Sequence, residues 1–383
     1  MKKISIPHQS AVVRYRFRVR NEAGEIVRRA SAWRRNLILD QGLDGIAVRT
    51  WAHSFSNAAI GTGTTPTKRD SGAVTFSRAA TTVTASAGFF EAQDVGRLLK
   101  WDSGEESYIT AFTSATEVTV ADSGVVAAAE GTVWYVNQIG LTSEVKRTSN
   151  YSSAGGANGT VWSAGTGEVI MTRTYLFSPE AAPIAYREII WSHTSSVGNN
   201  AFGRDLFGGA GVSLIAGQQL EVEMELRIAM SPVEPTPWVT SIAGWSVDGD
   251  ATIETLGLLE VASNGGLDGS SFQLSEASNA NSVVISTATT ALRVSSLNDQ
   301  SLTGIIQEKA MGLEAYVPGS FFRDRSVTLG VSEANSAAIR SIGISNGLGR
   351  VGWRVLLDVA ETKLSTHTLQ LTFRVSWGRT LVN

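Results

Sequence analysis

The sequence contains no cysteine, and this absence excludes whole classes of site and of stabilising bond. Disulfide bridges, thiolate metal ligands and cysteine nucleophiles are all ruled out. Histidine is scarce as well, because His8, His53, His193 and His367 are scattered, with no pair two or four positions apart. A histidine-based metal site would need ligands from distant segments. We therefore expect no metal site, and we expect stability to come from packing or assembly.

Long apolar runs are also missing. Arginines interrupt the apolar positions between residues 12 and 20, so the N-terminal region has no signal-peptide core. No apolar run reaches the length of a membrane span. We expect a protein that is made in a cytoplasm and does not insert into a membrane.

Charge is sparse and nearly balanced. Charged residues make up 17% of the chain, against roughly 25% in an average globular domain. The formal net charge of -3 gives no global reason to expect nucleic acid or an anionic membrane as a partner. Nucleic acid is the least favoured partner, and any basic patch must be local.

The sequence does contain a clear two-residue alternation of apolar and polar side chains, which is typical of half-buried strands. Arginines alternate with Tyr15, Phe17 and Val19, and similar alternations run from 220 to 228 and from 369 to 377. Helical periodicity is scarce, and 38 glycines favour sheets and turns. The sequence therefore predicts an all-β fold.

Two stretches, 186–230 and 339–377, follow the same order of charged, aromatic and strand-like segments and end in clear alternation. This order predicts two tandem β-sandwich domains of common origin. Between them, three prolines within residues 231–238 predict a linker. The predicted units are residues 1–75 with 139–230 for the first sandwich, 76–138 for a small barrel-like β insertion in it, 231–238 for the linker and 239–383 for the second sandwich.

Four short motifs follow one another in the first of these units. They lie at 33–44, with Asn36-Leu37-Ile38 before Asp40, at 59–66, with Gly61-Thr62-Gly63, at 140–147, and at 186–226. In this order they resemble tail structural proteins of tailed bacteriophages, of the minor tail, tail fibre or tail-attachment type. The resemblance implies a structural role in a virion, and the second sandwich shares it only through the internal repeat.

Catalytic interpretations find little support. The glycine-rich stretch 61–65 lacks the Lys-Ser/Thr pair of a phosphate-binding loop, so a tight turn is the better interpretation. The paired carboxylates of a glycosidase could come only from the alternating glutamates after residue 220 or from Glu105-Glu106, which suit a solvated strand face and a turn. We predict a protein that is not an enzyme, with no catalytic residues and no cofactor.

Arginines share one face of the first strand, and like charges so placed repel unless something neutralises them. Three explanations stay open: solvent at a protected sheet edge, an acidic surface of a neighbouring subunit, or DNA, which is the least favoured. We take the second as the working hypothesis. The candidate assembly interface consists of Arg14, Arg16, Arg18, Arg20, Glu221, Glu223 and Glu225.

The chain has 10 tryptophans, more than two sandwich cores need. A surplus indicates interface anchors or platforms for sugars. Trp162 lies in a stretch rich in Gly, Ser and Ala and is the candidate exposed aromatic contact, with a core or loop-anchoring role as the alternative.

The sequence thus predicts a structural component of a tailed-phage virion that assembles as a symmetric oligomer in the tail or tail-attachment region. Its partners would be copies of itself and neighbouring virion structural proteins. One alternative is a receptor- or carbohydrate-binding tail protein that contacts a host surface glycan, and another is a capsid decoration or head-fibre protein. The chain would be made in the host cytoplasm and located in the virion.

Overall fold

The alternation in the sequence becomes strands along almost the whole described chain. The computed structural model describes residues 4–5, 9–47, 53–149, 159–163, 168–229, 236–238, 251–254, 282–287, 304–345 and 351–381. Among these residues the one α-helix is α1 (Asp40–Ile46), and 3-10 helices occupy His53–Phe55 and Ala92–Asp94. The predicted all-β, sandwich-type fold is confirmed.

The strands are as follows. The first part has β1 (Ile4–Ser5), β2 (Gln9–Arg20), β3 (Ile26–Arg28), β4 (Arg34–Ile38) and β5 (Asn57–Gly61). A module follows with β6 (Lys68–Asp70), β7 (Phe76–Ala85), β8 (Leu98–Trp101), β9 (Glu106–Ser114), β10 (Glu117–Ala129) and β11 (Gly131–Trp134). Then come β12 (Glu144–Thr148), β13 (Gly159–Ser163), β14 (Glu168–Leu176), β15 (Ile184–Tyr186), β16 (Glu188–Ser192), β17 (Ala201–Leu206), β18 (Val212–Leu214) and β19 (Gln219–Ala229). The last part has β20 (Thr236–Trp238), β21 (Ala251–Glu254), β22 (Ser282–Ser286), β23 (Ile305–Ala310), β24 (Gly312–Leu313), β25 (Phe322–Leu329), β26 (Ser336–Ser345), β27 (Val351–Lys363) and β28 (Leu369–Arg379).

The first sandwich has two layers that face each other across a shared core. One layer has the order β12-β5-β16-β17-β4, and the other has the order β2-β19-β14-β13, with β4 and β2 paired at the junction. Apolar side chains of both layers are buried in one cluster, where the ring of Tyr15 on β2 lies 5.3 Å from that of Trp191 on β16. The apolar side chains that face inward from the alternating strands therefore form the core.

The second part of the chain repeats the strand order of the first. The path β2-β4-β17-β16-β5-β12 corresponds to β20-β21-β27-β26-β22-β23, and the path β13-β14-β19 corresponds to β24-β25-β28. Corresponding strands also follow each other in the same order along the chain, and each of these pairings is antiparallel. This repetition is what a duplicated sandwich predicts.

Two side-chain arrangements are repeated together with the strands. Arg173 on β14 is buried opposite Met224, and Arg325 on β25 is buried at the corresponding place, opposite Phe373. Few arginines are buried in protein cores, so the recurrence of one at equivalent positions supports a common origin for the two halves.

The second repeated arrangement is a lysine that ties one layer to the other. Lys146 on β12 donates to the carbonyl of Ser178 just after β14 and pairs with Glu180. Lys309 on β23 donates to a carbonyl near the end of β25 and pairs with Glu333. In each half the lysine lies on an edge strand, where a charge also deters pairing with another sheet.

The two sandwiches share a sheet, so the predicted division into separate first and second domains is corrected. Strand β2 lies between the equivalent strands β19 and β28, antiparallel to β19 and parallel to β28, and Ser10 is paired with both. β28 thus extends the sheet of the first half, and one buried apolar cluster contains residues of both halves. The predicted linker is also shortened, because Thr236–Trp238 is a strand, while 231–235 lie outside the described residues.

The insertion forms a sheet and a core of its own, but its first strand is Lys68–Asp70, earlier than the predicted start at residue 76. Its sheet has the open order β6-β11-β8-β9-β10-β7 and is not a barrel. It also packs on the first sandwich, where Leu98 and Trp134 join a buried cluster with Leu37 and Ile190. Because neighbouring residues on a strand face opposite ways, β8 and β11 can serve both cores at once.

We predict that the two sandwiches depend on each other through Trp377 on β28. Its side chain is 1% exposed, its indole donates to the carbonyl of Leu43 at 2.8 Å, and its ring stacks on Tyr316. Trp377→Ala should lower the free energy of unfolding by about 3–5 kcal/mol in denaturant titration. The exposed Leu364→Ala should change it by about 0.5 kcal/mol or less. Hydrogen exchange measures whether the loss extends to the first sandwich. If the backbone amides of the first sandwich exchange as slowly in Trp377→Ala as in the native chain, the shared core is contradicted.

Candidate functional site

The structure brings the predicted interface residues together within a single chain. Strands β2 and β19 are antiparallel neighbours, and their register places Arg14 opposite Glu225, Arg16 opposite Glu223 and Arg18 opposite Glu221. The Nε of Arg14 lies 2.6 Å from Oε1 of Glu225, and Arg16 forms a two-pronged pair with Glu223 at 2.9 and 3.0 Å. These alternating residues form a cross-strand ion-pair ladder.

Glu221 closes the ladder by binding two arginines. Arg18 contacts one of its carboxylate oxygens, and the Nε of Arg20 lies 2.6 Å from the other. Arg20 also donates to the carbonyl of Gly24 in the turn after β2. Glu221 is almost completely buried beneath these guanidinium groups. The carboxylates that neutralise the arginines are therefore supplied by the same chain, whereas the working hypothesis took them from a neighbouring subunit.

The other edge of the ladder is linked to β14. Arg227 contacts Glu225 at 2.5 Å and Glu168 at 3.1 Å. Burial acts to raise the pKa of Glu225, but hydrogen bonds from Arg14 and Arg227 outweigh it and hold the pKa below its usual range. Through Arg227 and Glu168 the ladder on β2 and β19 is thus linked to a third strand.

Trp33 covers the exposed side of the ladder. The guanidinium carbons of Arg14 and Arg16 lie 4.5 and 4.7 Å from the centre of its ring. Such cation–π contacts hold the arginine side chains against the sheet. The other tryptophan singled out in the sequence, Trp162, lies on β13 opposite Val169, but its side chain is outside the described residues.

An ion pair with both partners fully buried lies elsewhere, on the outer face of the β16–β17 hairpin. Glu188 and Arg204 both have fully buried side chains, and Nη2 of Arg204 lies 2.7 Å from Oε2 of Glu188. The other Nη of Arg204 donates to Oε1 of Gln138 at 2.9 Å. An ion pair so far from water is tolerated only if its remaining hydrogen-bonding atoms find partners.

Three backbone N–H groups supply those partners. The carboxylate of Glu188 accepts hydrogen bonds from Gly63 at 3.0 Å, Thr142 at 3.1 Å and Ser143 at 2.8 Å. These donors lie on two loops, one after β5 and one before β12, while Gln138 ends the module. One carboxylate thus holds together the loops from which the module leaves and re-enters the sandwich.

Close packing around this carboxylate explains two glycines of the stretch 61–65. A Cβ at Gly61 would collide with the carbonyl of Ser143, and a Cβ at Gly63 would collide with the carboxylate of Glu188. Glycine is the residue that permits such approach of backbone to a buried group. Gly61 ends β5 and residues 62–66 form an irregular loop, in place of the predicted tight turn, and the two close contacts account for glycine at positions 61 and 63.

All four sequence motifs are connected to this network. Gly63 belongs to the motif at 59–66, Thr142 and Ser143 to that at 140–147, and Glu188 and Arg204 to that at 186–226. The backbone of Leu37, in the motif at 33–44, pairs with that of Arg204. Sequence reasoning did not single out Glu188 and Arg204, although a charged residue within an apolar strand pattern is a signal that could have found them.

A further carboxyl group of the first sandwich is partly buried, with a side chain that is 17% exposed. Asp205 on β17 accepts a hydrogen bond from the hydroxyl of Tyr15 at 2.8 Å, and the guanidinium of Arg34 lies 3.9 Å away. Burial raises the pKa of Asp205 to about 6, because these contacts only partly offset the loss of water. Burial and the neighbouring carboxyl also hold the pKa of Tyr15 well above its ordinary value.

The described residues of the first sandwich line at least two cavities. One, of about 320 Å³, lies between α1 and the loop after β16 and is lined by Gln41, Asp44 and His193. The other, of about 270 Å³, lies where the module meets β4 and the end of the chain and is lined by Lys68 and Trp134, among others. In the described part of the chain, no His, Asp and Glu side chains group closely enough to bind a metal, and no helix is long and apolar enough to cross a membrane.

Comparisons with protein-family models, with curated proteins and with solved structures found no match for this chain.

We predict that the buried pair is essential for folding, whereas the ladder is not. Glu188→Gln should lower the free energy of unfolding by about 3–5 kcal/mol, because it leaves the charge of Arg204 buried without its counter-ion. The matched change Glu223→Gln should cost about 1 kcal/mol or less, since Arg16 is 37% exposed and water can replace its partner. Urea unfolding measures both values. Equal losses in the two variants would contradict the distinction.

The raised pKa of Asp205 predicts an unusual pH dependence. The folded chain holds this proton more tightly than the unfolded chain, in which the pKa is near 3.8, so Asp205 lowers the free energy of unfolding as the pH rises from about 4 to about 6. Asp205→Asn removes this titration, and its amide oxygen can still accept from Tyr15. In urea unfolding between pH 4 and pH 7.5, the variant should gain stability relative to the native chain. If the free energy of unfolding changes with pH in the same way in the variant and in the native chain, the raised pKa of Asp205 is contradicted.

Proposed function

We propose that the chain is a non-enzymatic structural component of a tailed-phage virion, which assembles as a symmetric oligomer in the tail or tail-attachment region. The observation that carries the proposal is the convergence of all four resembling motifs on the buried Glu188–Arg204 network. Because the four motifs are far apart in sequence but lie in one network, they belong to a single structural feature of the fold. This supports a resemblance to tail structural proteins that covers most of the first sandwich.

The use of charged groups also supports a structural role. The ladder on β2 and β19 and the Glu188–Arg204 pair use their charges to join strands and loops. Catalytic groups, by contrast, are held where a substrate can reach them. In these two groups the charges bind other parts of the same chain and stabilise the fold.

Sheet edges provide surfaces for assembly with further copies. Within the described chain, β24 pairs only with β25, at one end of the sheet that joins both halves. Ile305 and Ile306 on the edge strand β23 are exposed. Exposed edges with apolar side chains are common sites for association with another chain. Copies of the chain and neighbouring virion proteins are the proposed partners.

A carbohydrate-binding tail protein is the second candidate, and the cavity where the module meets the sandwich favours it. At about 270 Å³ it has room for one small ring, and it combines Trp134 with the cations Lys68 and Arg379. Saturable binding of a monosaccharide, observed by ligand NMR, would support this function. It would also be compatible with a place in the tail.

The virion proposal is tested by quantifying the protein in purified particles after their dissociation into heads and tails. We expect a fixed copy number per particle, recovered with tails. If the protein is recovered with heads, it is a capsid decoration or head-fibre protein and the proposed tail position is wrong. Absence from both fractions would overturn the virion role. Arg16→Ser should be incorporated normally, because its partner Glu223 lies in the same chain.

A further inference from the structure

The cavity between the module and the first sandwich lies where two paired strands separate. The pairing of β2 with β4 ends at Val13 and Asn36, and beyond this point β2 pairs with β28 while β4 pairs with β17. The cavity of about 270 Å³ is lined by residues of all four strands, together with Lys68 and Trp134 of the module. Its walls therefore come from parts of the chain that are far apart in sequence.

Two side chains that line this cavity have buried polar atoms without a hydrogen-bond partner. Asn36 is 8% exposed, and within the described chain neither the oxygen nor the nitrogen of its amide has a partner. Trp134 is also 8% exposed, and its indole N–H has no acceptor. Leaving a buried polar atom unpaired costs free energy. Three such atoms around one cavity therefore indicate a bound molecule that supplies the missing hydrogen bonds.

The cavity also has a cation without a counter-ion. Arg35 lines it and is exposed, and among the described residues it has no ion pair and no hydrogen bond. The register places Arg35 two residues before Leu37 on one face of β4, and Leu37 packs with Trp134. Arg35 is therefore on the face of β4 that is turned towards the module, and its charge is available to an anionic group.

The unpaired atoms favour a ligand with several hydroxyl groups. A hydroxyl both donates and accepts, so it can satisfy either atom of the Asn36 amide as well as the indole N–H of Trp134. Asp205 also lines the cavity and can accept from a further hydroxyl. A simple anion cannot donate to the amide oxygen of Asn36. A flat stacking ligand is disfavoured, because Nζ of Lys68 lies 5.3 Å from the centre of the Trp134 ring and covers that face.

We propose that this cavity binds one pyranose ring of an acidic sugar, a hexuronate. Its hydroxyls bind Asn36 and Trp134, and its carboxylate pairs with Arg35, since arginine forks match carboxylates in geometry as well as charge. Leu37 and Leu381 also line the cavity and offer apolar surface to the C–H groups of the ring. The inference rests on the second candidate function, a carbohydrate-binding tail protein, and names the class of its ligand.

Matched sugars test the ligand class with the purified full chain. In calorimetric titration, D-glucuronate or D-galacturonate should bind saturably. D-glucose and D-galactose, which carry a CH₂OH group in place of the carboxylate, should bind about 10-fold more weakly or less, because they leave Arg35 without its partner. Acetate, which offers the charge without the hydroxyls, should not compete.

Asn36→Leu separates a binding role of the amide from a structural one. The variant should abolish uronate binding without lowering the free energy of unfolding of the sugar-free chain, because the native amide has no hydrogen bond to lose. Trp134→Phe removes the indole N–H and should weaken uronate binding by about 10-fold. If Asn36→Leu binds uronate normally, or if it is less stable in urea than the native chain, the assignment of the amide is wrong.

Arg35→Gln tests the carboxylate contact. The variant should bind the uronates and the neutral sugars equally weakly, since the charge that distinguishes them is gone. Arg29→Gln is the matched control, because Arg29 is also exposed and does not line the cavity, and it should leave the preference unchanged.

Three results would overturn the inference. Absence of saturable binding of both uronates would mean that the cavity holds only water. Equal affinity of the native chain for acidic and neutral sugars would remove the role of Arg35. Competition by acetate at the affinity of the uronates would mean an adventitious anion site only.

The sugar site and the virion role can fail separately. Uronate binding that depends on Asn36 and Arg35, combined with absence of the protein from particles, would leave the site and remove the role. Normal recovery with tails, combined with no binding of either uronate, would leave the role and remove the site.

Discussion

The desolvated carboxylate of Glu188 is the constraint on which the first half of the structure depends. A charge without access to water must be matched by a counter-ion and by hydrogen bonds, and Arg204 with three backbone N–H groups meets this requirement. Meeting it fixes the loops on either side of the module. The module can therefore have its own core and still hold a defined position on the sandwich, because both of its connecting loops are bound to the buried carboxylate of Glu188.

Charges of the same kind have different roles according to what lies beside them. Arginines on β2 are opposite glutamates on β19 and are held in an internal ladder. Arg28 on β3 and Arg35 on β4 have no carboxylate within ion-pair distance in the described chain and are exposed. A lysine in each half ties the two layers together near a sheet edge. Position in the sheet, more than residue type, decides whether a cation stabilises the fold or remains available to a partner.

Duplication explains the architecture but leaves one asymmetry. Every strand from β20 to β28 has a counterpart in the first half, in the same order. Strand β2, however, pairs along its whole length with β19 and only through its first residues with β28. A strand has two edges and can bridge two equivalent neighbours, so the halves are joined into one sheet. Within the described chain, the module belongs to the first half alone.

The all-β class, the repeat and the module could be predicted from the sequence, because alternation and repeated order are local properties of the chain. The arginines of residues 14 to 20 and the glutamates of residues 221 to 225 were also recognisable as matching sets. The three-dimensional structure was needed to show that the two sets pair within one chain, that β28 joins the first sheet, and that Glu188 contacts Arg204. Such pairings join segments far apart in sequence, and residue types and spacing do not encode the register between strands or whether a partner belongs to the same molecule.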